Sequence, residues 1–312
     1  MLNKATGKRS SPVVRLLREN YQLYLILLLP LIWLLVFKYQ PMYGAQIAFR
    51  RFRAADGIWG SQWVGLDNFL KFFNNYMFSR TLKNTLTVSI YQLLVTFPFP
   101  IILALAMNST VHTQLKKSTQ MITYLPHFVS TVVLVGMLVQ FTNVHMGIFN
   151  KLVMLFGGKA TDFMASGPAF FHMYVWSEAW QNCGWGTIIY LAALSGVDME
   201  LHEAAVIDGA SRFKRLVHID IPSLVPTATI IMIMNMGRIM DLGFEKAFLM
   251  QNLMNIGSSE IIATYAYKTG LASASADFSY STTISFFNSA VNLVLILIVN
   301  KIASKWGETS LW

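Results

Sequence analysis

Long apolar runs separated by shorter polar intervals dominate the chain, and their lengths predict helices that cross a bilayer. The first run, YQLYLILLLPLIWLLVFKYQ at 21–40, has roughly the 20 residues that a bilayer core requires. Pro30 predicts a kink in it. A secretory signal does not fit, because the run is too long and no small-residue cleavage site follows. Further runs at 81–107, 118–141, 171–195, 227–250 and 282–302 predict five more spans. Pro98 and Pro100 interrupt the second, and Pro126 lies in the third beside His127. Such breaks are tolerated where neighbouring helices re-satisfy the freed backbone groups. His127 is read as satisfying a freed carbonyl rather than as a proton relay.

The expected fold class is therefore an all-α polytopic membrane protein. A cytoplasmic segment at 1–20 precedes one transmembrane domain at 21–312, and both termini lie in the cytoplasm. Lys4, Lys8, Arg9, Arg15 and Arg18 hold the first end inside, as Lys301 and Lys305 do the last. Lys116 and Lys117 mark a cytoplasmic return. Arg50, Arg51 and Arg53 run against this rule, since alternation puts the amphipathic, aromatic segment 41–80 outside. That segment either meets a partner at the outer interface or lies in lipid headgroups.

Composition supports the bilayer assignment. Of 312 residues, 54% are hydrophobic and 12% charged, with a mean hydropathy of +0.48; soluble domains carry about 25% charged residues. The formal charge of +9 is spread over the interhelical segments, which favours topology and anionic lipid over a nucleic-acid partner. Cys183 is the single cysteine, which excludes an intrachain disulfide and a cysteine metal cluster.

One polar interval stands apart: LHEAAVIDGASRFKRLVHIDIPSLVP, from Leu201 to Pro226. Glu200, Glu203 and Asp208 precede Arg212, Lys214 and Arg215, an order that suits the helix dipole at both ends. Gly209 interrupts, Ser211 can cap a second short helix, and Pro222 and Pro226 admit the chain to the next long helix at its first turn. From these features alone the interval reads equally well as an amphipathic loop. However, Glu203-Ala204-Ala205, Asp208-Gly209-Ala210 and Ile221-Pro222 fall at the spacing of the EAA signature. In this the chain resembles the permease subunits of binding-protein-dependent, type I ABC importers. The resemblance implies the type I ABC importer permease fold, six transmembrane helices with a cytoplasmic coupling helix in loop 199–223. It further implies a cleft on a cytoplasmic ABC ATPase dimer to receive that loop, a second homologous permease subunit and an extracytoplasmic substrate-binding protein. Glu203 would pair with an ATPase arginine and Gly209 would fix the bend. This chain would bind no cofactor and no metal, with ATP and magnesium on the partner ATPase, and would reside in the cell membrane of a bacterium.

Further residues narrow the likeness. Val64-Gly65-Leu66-Asp67-Asn68-Phe69, the stretch GFEKAFLMQNLMNIGSSEIIATYAYKTGL and the closing Ser310-Leu311-Trp312 are similar to sugar permeases of the oligosaccharide and polysaccharide branch. Where many relatives have an isoleucine and a proline before the EAA loop, this chain has Val197-Asp198.

The fourth run is the most polar, with Trp176, Glu178, Trp180, Gln181, Asn182 and Trp185. Polar groups at membrane depth face the bundle interior or a wet cavity. Trp176 and Trp180 are one turn apart, where an indole stacks on a sugar ring while amides and carboxylates bind hydroxyls; Trp176 equally suits an aromatic belt. In the fifth run Asn235, Arg238, Asp241 and Glu245 join the candidates. The spacing lets the three charges share one face, either neutralising one another or lining the path. Gly237 and Gly243 permit close helix approach or unwinding. Tyr265, Tyr267 and Lys268 in the last outer loop are expected to meet a binding protein.

Catalytic motifs fail on inspection. Gly157-Gly158-Lys159 lacks a phosphate loop's other residues, with Val153 and Ala160 in their places, and His202-Glu203 lacks a second His at Val206. The alternative to an ATP-driven sugar importer is an ion-gradient-driven secondary transporter.

Overall fold

The computed structural model of the protein describes residues 20–306 and 310–311; most of the expected cytoplasmic segment 1–20, and Trp312, lie outside them. α1 (Tyr21–Leu34) contains Pro30 and continues through a π turn, Leu35–Tyr39, into a 3-10 turn, Tyr43–Phe49. No residue of α1 is buried, so among the described residues its apolar surface is left largely uncovered.

A short hairpin that the apolar pattern did not announce follows it. β1 (Arg50–Arg53) and β2 (Ser61–Trp63) pair antiparallel, with Arg50 opposite Trp63. Side-chain bonds hold this hairpin. The Arg50 guanidinium lies 5.6 and 5.4 Å from the Trp59 and Trp63 rings and donates to the Ser61 carbonyl at 2.8 Å. Ser61 Oγ accepts from the Arg53 N–H and donates to the Gly57 carbonyl. A hydropathy pattern does not register such bonds.

Helices form the rest: α2 (Asp67–Phe73), α3 (Tyr76–Thr96), α4 (Pro98–Asn108), α5 (Thr113–Tyr124) and α6 (Thr131–Phe141). Pro98 opens α4 at its first turn, where a missing N–H costs nothing, so 76–108 runs almost continuously. Pro126 acts differently. It sits in a 3-10 turn, Leu125–Phe128, after which Ser130 caps α6, and the two halves meet at 98°. α7 (Ile148–Leu155) folds the next loop around buried Asn150, whose amide bonds the Thr142 and Thr161 carbonyls.

α8 (Gly167–Ser195) is the central helix and packs on α3, α4 and α5. Its 29 residues reach about 43 Å at 1.5 Å per residue. Gly184 lets it touch α5, for a Cβ there would run into the Thr123 carbonyl oxygen. α9 (Met199–Ile207) and α10 (Arg212–Arg215) follow, and α10 passes through a π turn, Leu216–Asp220, into α11 (Ile221–Met236). The helix therefore begins at Arg212, and Pro226 lies inside it rather than at its start. It also stops at Met236 instead of running to Met250. Gly237 turns against the last long helix, where a Cβ would meet Ile296 at 2.7 Å, and a separate helix, α12 (Phe244–Met250), resumes. α13 (Ile262–Tyr267) and α14 (Phe278–Trp306) are the last helices among the described residues.

Among the described residues four helical stretches are long and apolar enough to cross a membrane: Tyr21–Phe49, Tyr76–Asn108, Arg212–Met236 and Phe278–Lys305. The bent pair α5 and α6 makes a fifth if counted as one broken span. The run 171–195 lies within α8, whose length suffices but whose polar residues lower its hydropathy.

Candidate functional site

Two regions answer to the sequence. The first is the bent helix pair α9 and α10. Asp198 caps α9, its carboxylate accepting from the Glu200 N–H at 2.9 Å. Gly209 ends it at φ +74°. The Ala210 N–H bonds the Ala205 carbonyl at 2.8 Å and the Gly209 N–H bonds the Val206 carbonyl at 3.0 Å, the paired bonds of a Schellman turn. Ser211 then caps α10, as its position implied. At the root of α11, His202 Nε2 lies 3.4 Å from Asp220 Oδ1.

Apolar side chains crown this knob. Ile207 is 85% and Phe213 75% exposed, with Met199, Leu201 and Val206 exposed beside them. Glu203, Ala204 and Asp208 are exposed too, while Ala205 and Ala210 are half-buried. Among the described residues Glu203 has no ion-pair partner. Ile221 and Pro222 lie on the exposed side of the first turn of α11.

The second region is a cavity of about 340 Å³ between α3, α4, α8 and α11, which brings together Glu178, Asn182 and Asn235 with Gln92 and Thr96. A directed chain of hydrogen bonds runs along its wall. Asn182 Nδ2 donates to Glu178 Oε1 at 2.6 Å, so Asn182 Oδ1 is the acceptor at 2.8 Å from His127 Nδ1, which carries the proton. The His127 ring stacks on Trp185 at 4.5 Å. His127 thus serves an amide, not the freed carbonyl that its neighbouring proline suggested. From the other side Lys246 Nζ donates to Glu178 Oε2 at 2.8 Å and to the Tyr174 carbonyl at 2.9 Å. Lys246 went unmarked in the sequence, and nothing local in it announces that its side chain is buried.

Other candidates go elsewhere. Gln181 is buried, and its amide donates to the Val129 carbonyl at 2.7 Å; it closes the bend between α5 and α6 instead of lining the cavity. Trp176 and Trp180 share a separate groove of about 710 Å³ with Leu134, Phe141, Phe149 and Met173, almost wholly apolar. The Trp176 indole donates to Tyr91 Oη at 2.8 Å. Arg238 and Asp241 fall in the break after α11, not on one helix, and no ion pair joins Arg238 to Asp241 or Glu245 among the described residues. Asp241 instead accepts from Asn288 Nδ2 at 2.7 Å in a third hollow that also holds Tyr267, Ser281, Ser285 and Phe244.

Within segment 251–280, Leu253, Met254 and Leu271 are exposed, while Tyr265 and Lys268, expected to meet a partner, are held by side-chain bonds. Tyr265 is buried against Tyr280, and Lys268 pairs with Glu260, which also takes Arg80. Among the described residues no group of His, Cys, Asp and Glu is arranged to hold a metal ion.

Residues 96–307 match the family model described as the binding-protein-dependent transport system inner membrane component. The chain is 40% identical over 306 residues to Protein LplB of Bacillus subtilis (strain 168), covering 98% of this chain and 95% of that one. It is 39% identical over 305 residues to the polygalacturonan/rhamnogalacturonan transport system permease protein YteP of the same organism, with 98% and 94% covered. It also resembles a chain in the crystal structure of a bacterial ABC transporter involved in the import of the acidic polysaccharide alginate. There the TM-score is 0.86 at 33% identity, over 94% of this chain and 99% of that one.

Proposed function

The chain belongs to the family of binding-protein-dependent transport system inner membrane components, and from that premise we propose that it forms, with a second homologous permease, the inward path of an acidic oligosaccharide or polysaccharide. It is a permease subunit of a sugar ABC importer and not an enzyme. The gradient-driven secondary transporter considered from its intramembrane charges has no support in this membership.

One observation carries the coupling: the bent, apolar-tipped knob at 199–223, with Glu203 exposed and without an ion-pair partner among the described residues. Such a surface wants a cleft, and the partner of that description is the cytoplasmic ATPase dimer. Closure of that dimer on ATP and magnesium pushes the knobs of the two permeases together and opens the path outward. In this arrangement both termini and the knob face the cytoplasm, and the Arg50–Trp63 hairpin meets the extracytoplasmic binding protein. The acidic cargo is supported by the relatives that handle polygalacturonan, rhamnogalacturonan and alginate.

Within the path, Glu178, Asn182 and Asn235 line one hollow and Asp241 and Asn288 another, and both offer hydrogen bonds to hydroxyls. Gln181, Trp176 and Trp180 have packing roles, and Arg238 keeps a place at the break. The test is reconstitution of this chain with the second permease, the ATPase and the binding protein in proteoliposomes. ATP hydrolysis and uptake rising together on addition of binding protein loaded with an oligogalacturonide is the expected result. Uptake without the ATPase refutes the coupling, and indifference to acidic glycans refutes the cargo.

A further inference from the structure

Glu178 sits in the wall of the polar hollow, and each of its carboxylate oxygens has a donor, Lys246 on one and Asn182 on the other. Lys246 is 3% exposed and comes from α12, beyond the break that ends α11. Its ammonium also lies 4.7 Å from the Tyr174 ring centre. Among the residues lining the hollow Glu178 is the one carboxylate, and none is Lys, Arg or His. The charge of this wall therefore depends on a lysine that lies outside it.

We propose that Lys246 is a specificity-determining residue, which cancels the charge of Glu178 so that the carboxylates of an acidic glycan can pass. A carboxylate left alone on a wall of low dielectric repels a second one passing within several ångström, whereas a close ion pair presents only a dipole. A sugar hydroxyl donates to the carboxylate in either state. Loss of the lysine charge thus separates acidic from neutral glycans, which a purely structural role for Lys246 does not do. The inference rests on the acidic-glycan reading given above.

The experiment uses the complete importer in proteoliposomes, with an oligogalacturonide and its methyl-esterified, uncharged counterpart of the same length as probes. Lys246→Gln keeps a hydrogen-bond donor and removes the charge. It is expected to lower uptake of the acidic probe relative to the neutral one about tenfold, equivalent to about 1.4 kcal/mol of added barrier. The double variant Glu178→Gln, Lys246→Gln returns the ratio to within about twofold of native, since its wall is neutral again. An equal loss for both probes in Lys246→Gln overturns the inference and leaves the lysine a packing role. Should that single variant not assemble, the double variant decides: a native ratio supports neutrality as the requirement, and selective loss of the acidic probe refutes it. Failure of the native importer to take up the acidic probe removes the cargo reading itself, and this inference with it.

Discussion

Replacing Gly209 tests how the coupling knob is built. At φ +74° an L-residue puts its Cβ against the following carbonyl and costs about 1–2 kcal/mol. A Cβ built on Gly209 meets nothing within 4 Å, so alanine adds no clash with neighbours and the backbone term stands alone. That energy lowers the population of the native bend by about 5- to 30-fold relative to its alternatives. Asparagine tolerates this conformation and valine does not. The expected order of coupled activity is therefore Gly209, then Gly209→Asn, Gly209→Ala and Gly209→Val. Each variant is read in proteoliposomes by uptake per ATP hydrolysed, and in mild detergent by the concentration of ATPase needed to hold the complex. Membrane insertion is expected to stay native throughout, because the bend lies outside the apolar spans. Native coupling in Gly209→Val, or a loss in Gly209→Asn as deep as in Gly209→Val, refutes the claim that the left-handed turn sets the knob.

Glu203→Lys puts a cation where the partner arginine is expected, and uptake falls about tenfold or more while the subunit still inserts; normal uptake by that variant removes Glu203 from the contact. Gly184→Ala drives a Cβ into the Thr123 backbone and costs about 1–3 kcal/mol of overpacking, seen as a lower melting temperature of the detergent-purified complex. Gln181→Leu leaves the half-buried Val129 carbonyl without its donor and costs about 1 kcal/mol. In that variant melting temperature drops and uptake per assembled transporter holds, whereas a changed substrate preference would return Gln181 to the path.

The apolar runs announced a membrane protein because partition into a bilayer depends on local composition over about 20 residues, which a linear reading samples directly. The knob was legible for a similar reason. Gly209 and Ser211 act on backbone groups within five residues of themselves, so their order in the chain announces the bend, whereas the Asp198 cap emerged only from the structure. The hairpin at Arg50–Trp63 escaped because its support is a guanidinium against two indoles, not an alternation of polar and apolar positions.

Neighbouring residues on α8 show where linear reading stops. Gln181 and Asn182 look alike in sequence, yet one closes the α5–α6 bend and the other joins the cavity wall. The 100° between successive residues on a helix separates them, and the sequence carries no mark of which direction leads to water. Glu178 was visible as a costly intramembrane charge, but Lys246 stands 68 residues away and across a helix break. The sequence by itself determined the solvent, most of the helices and the bend at Gly209, all set by short-range chemistry. Only the tertiary structure decided which polar groups face one another, because that depends on how distant helices are rotated and packed.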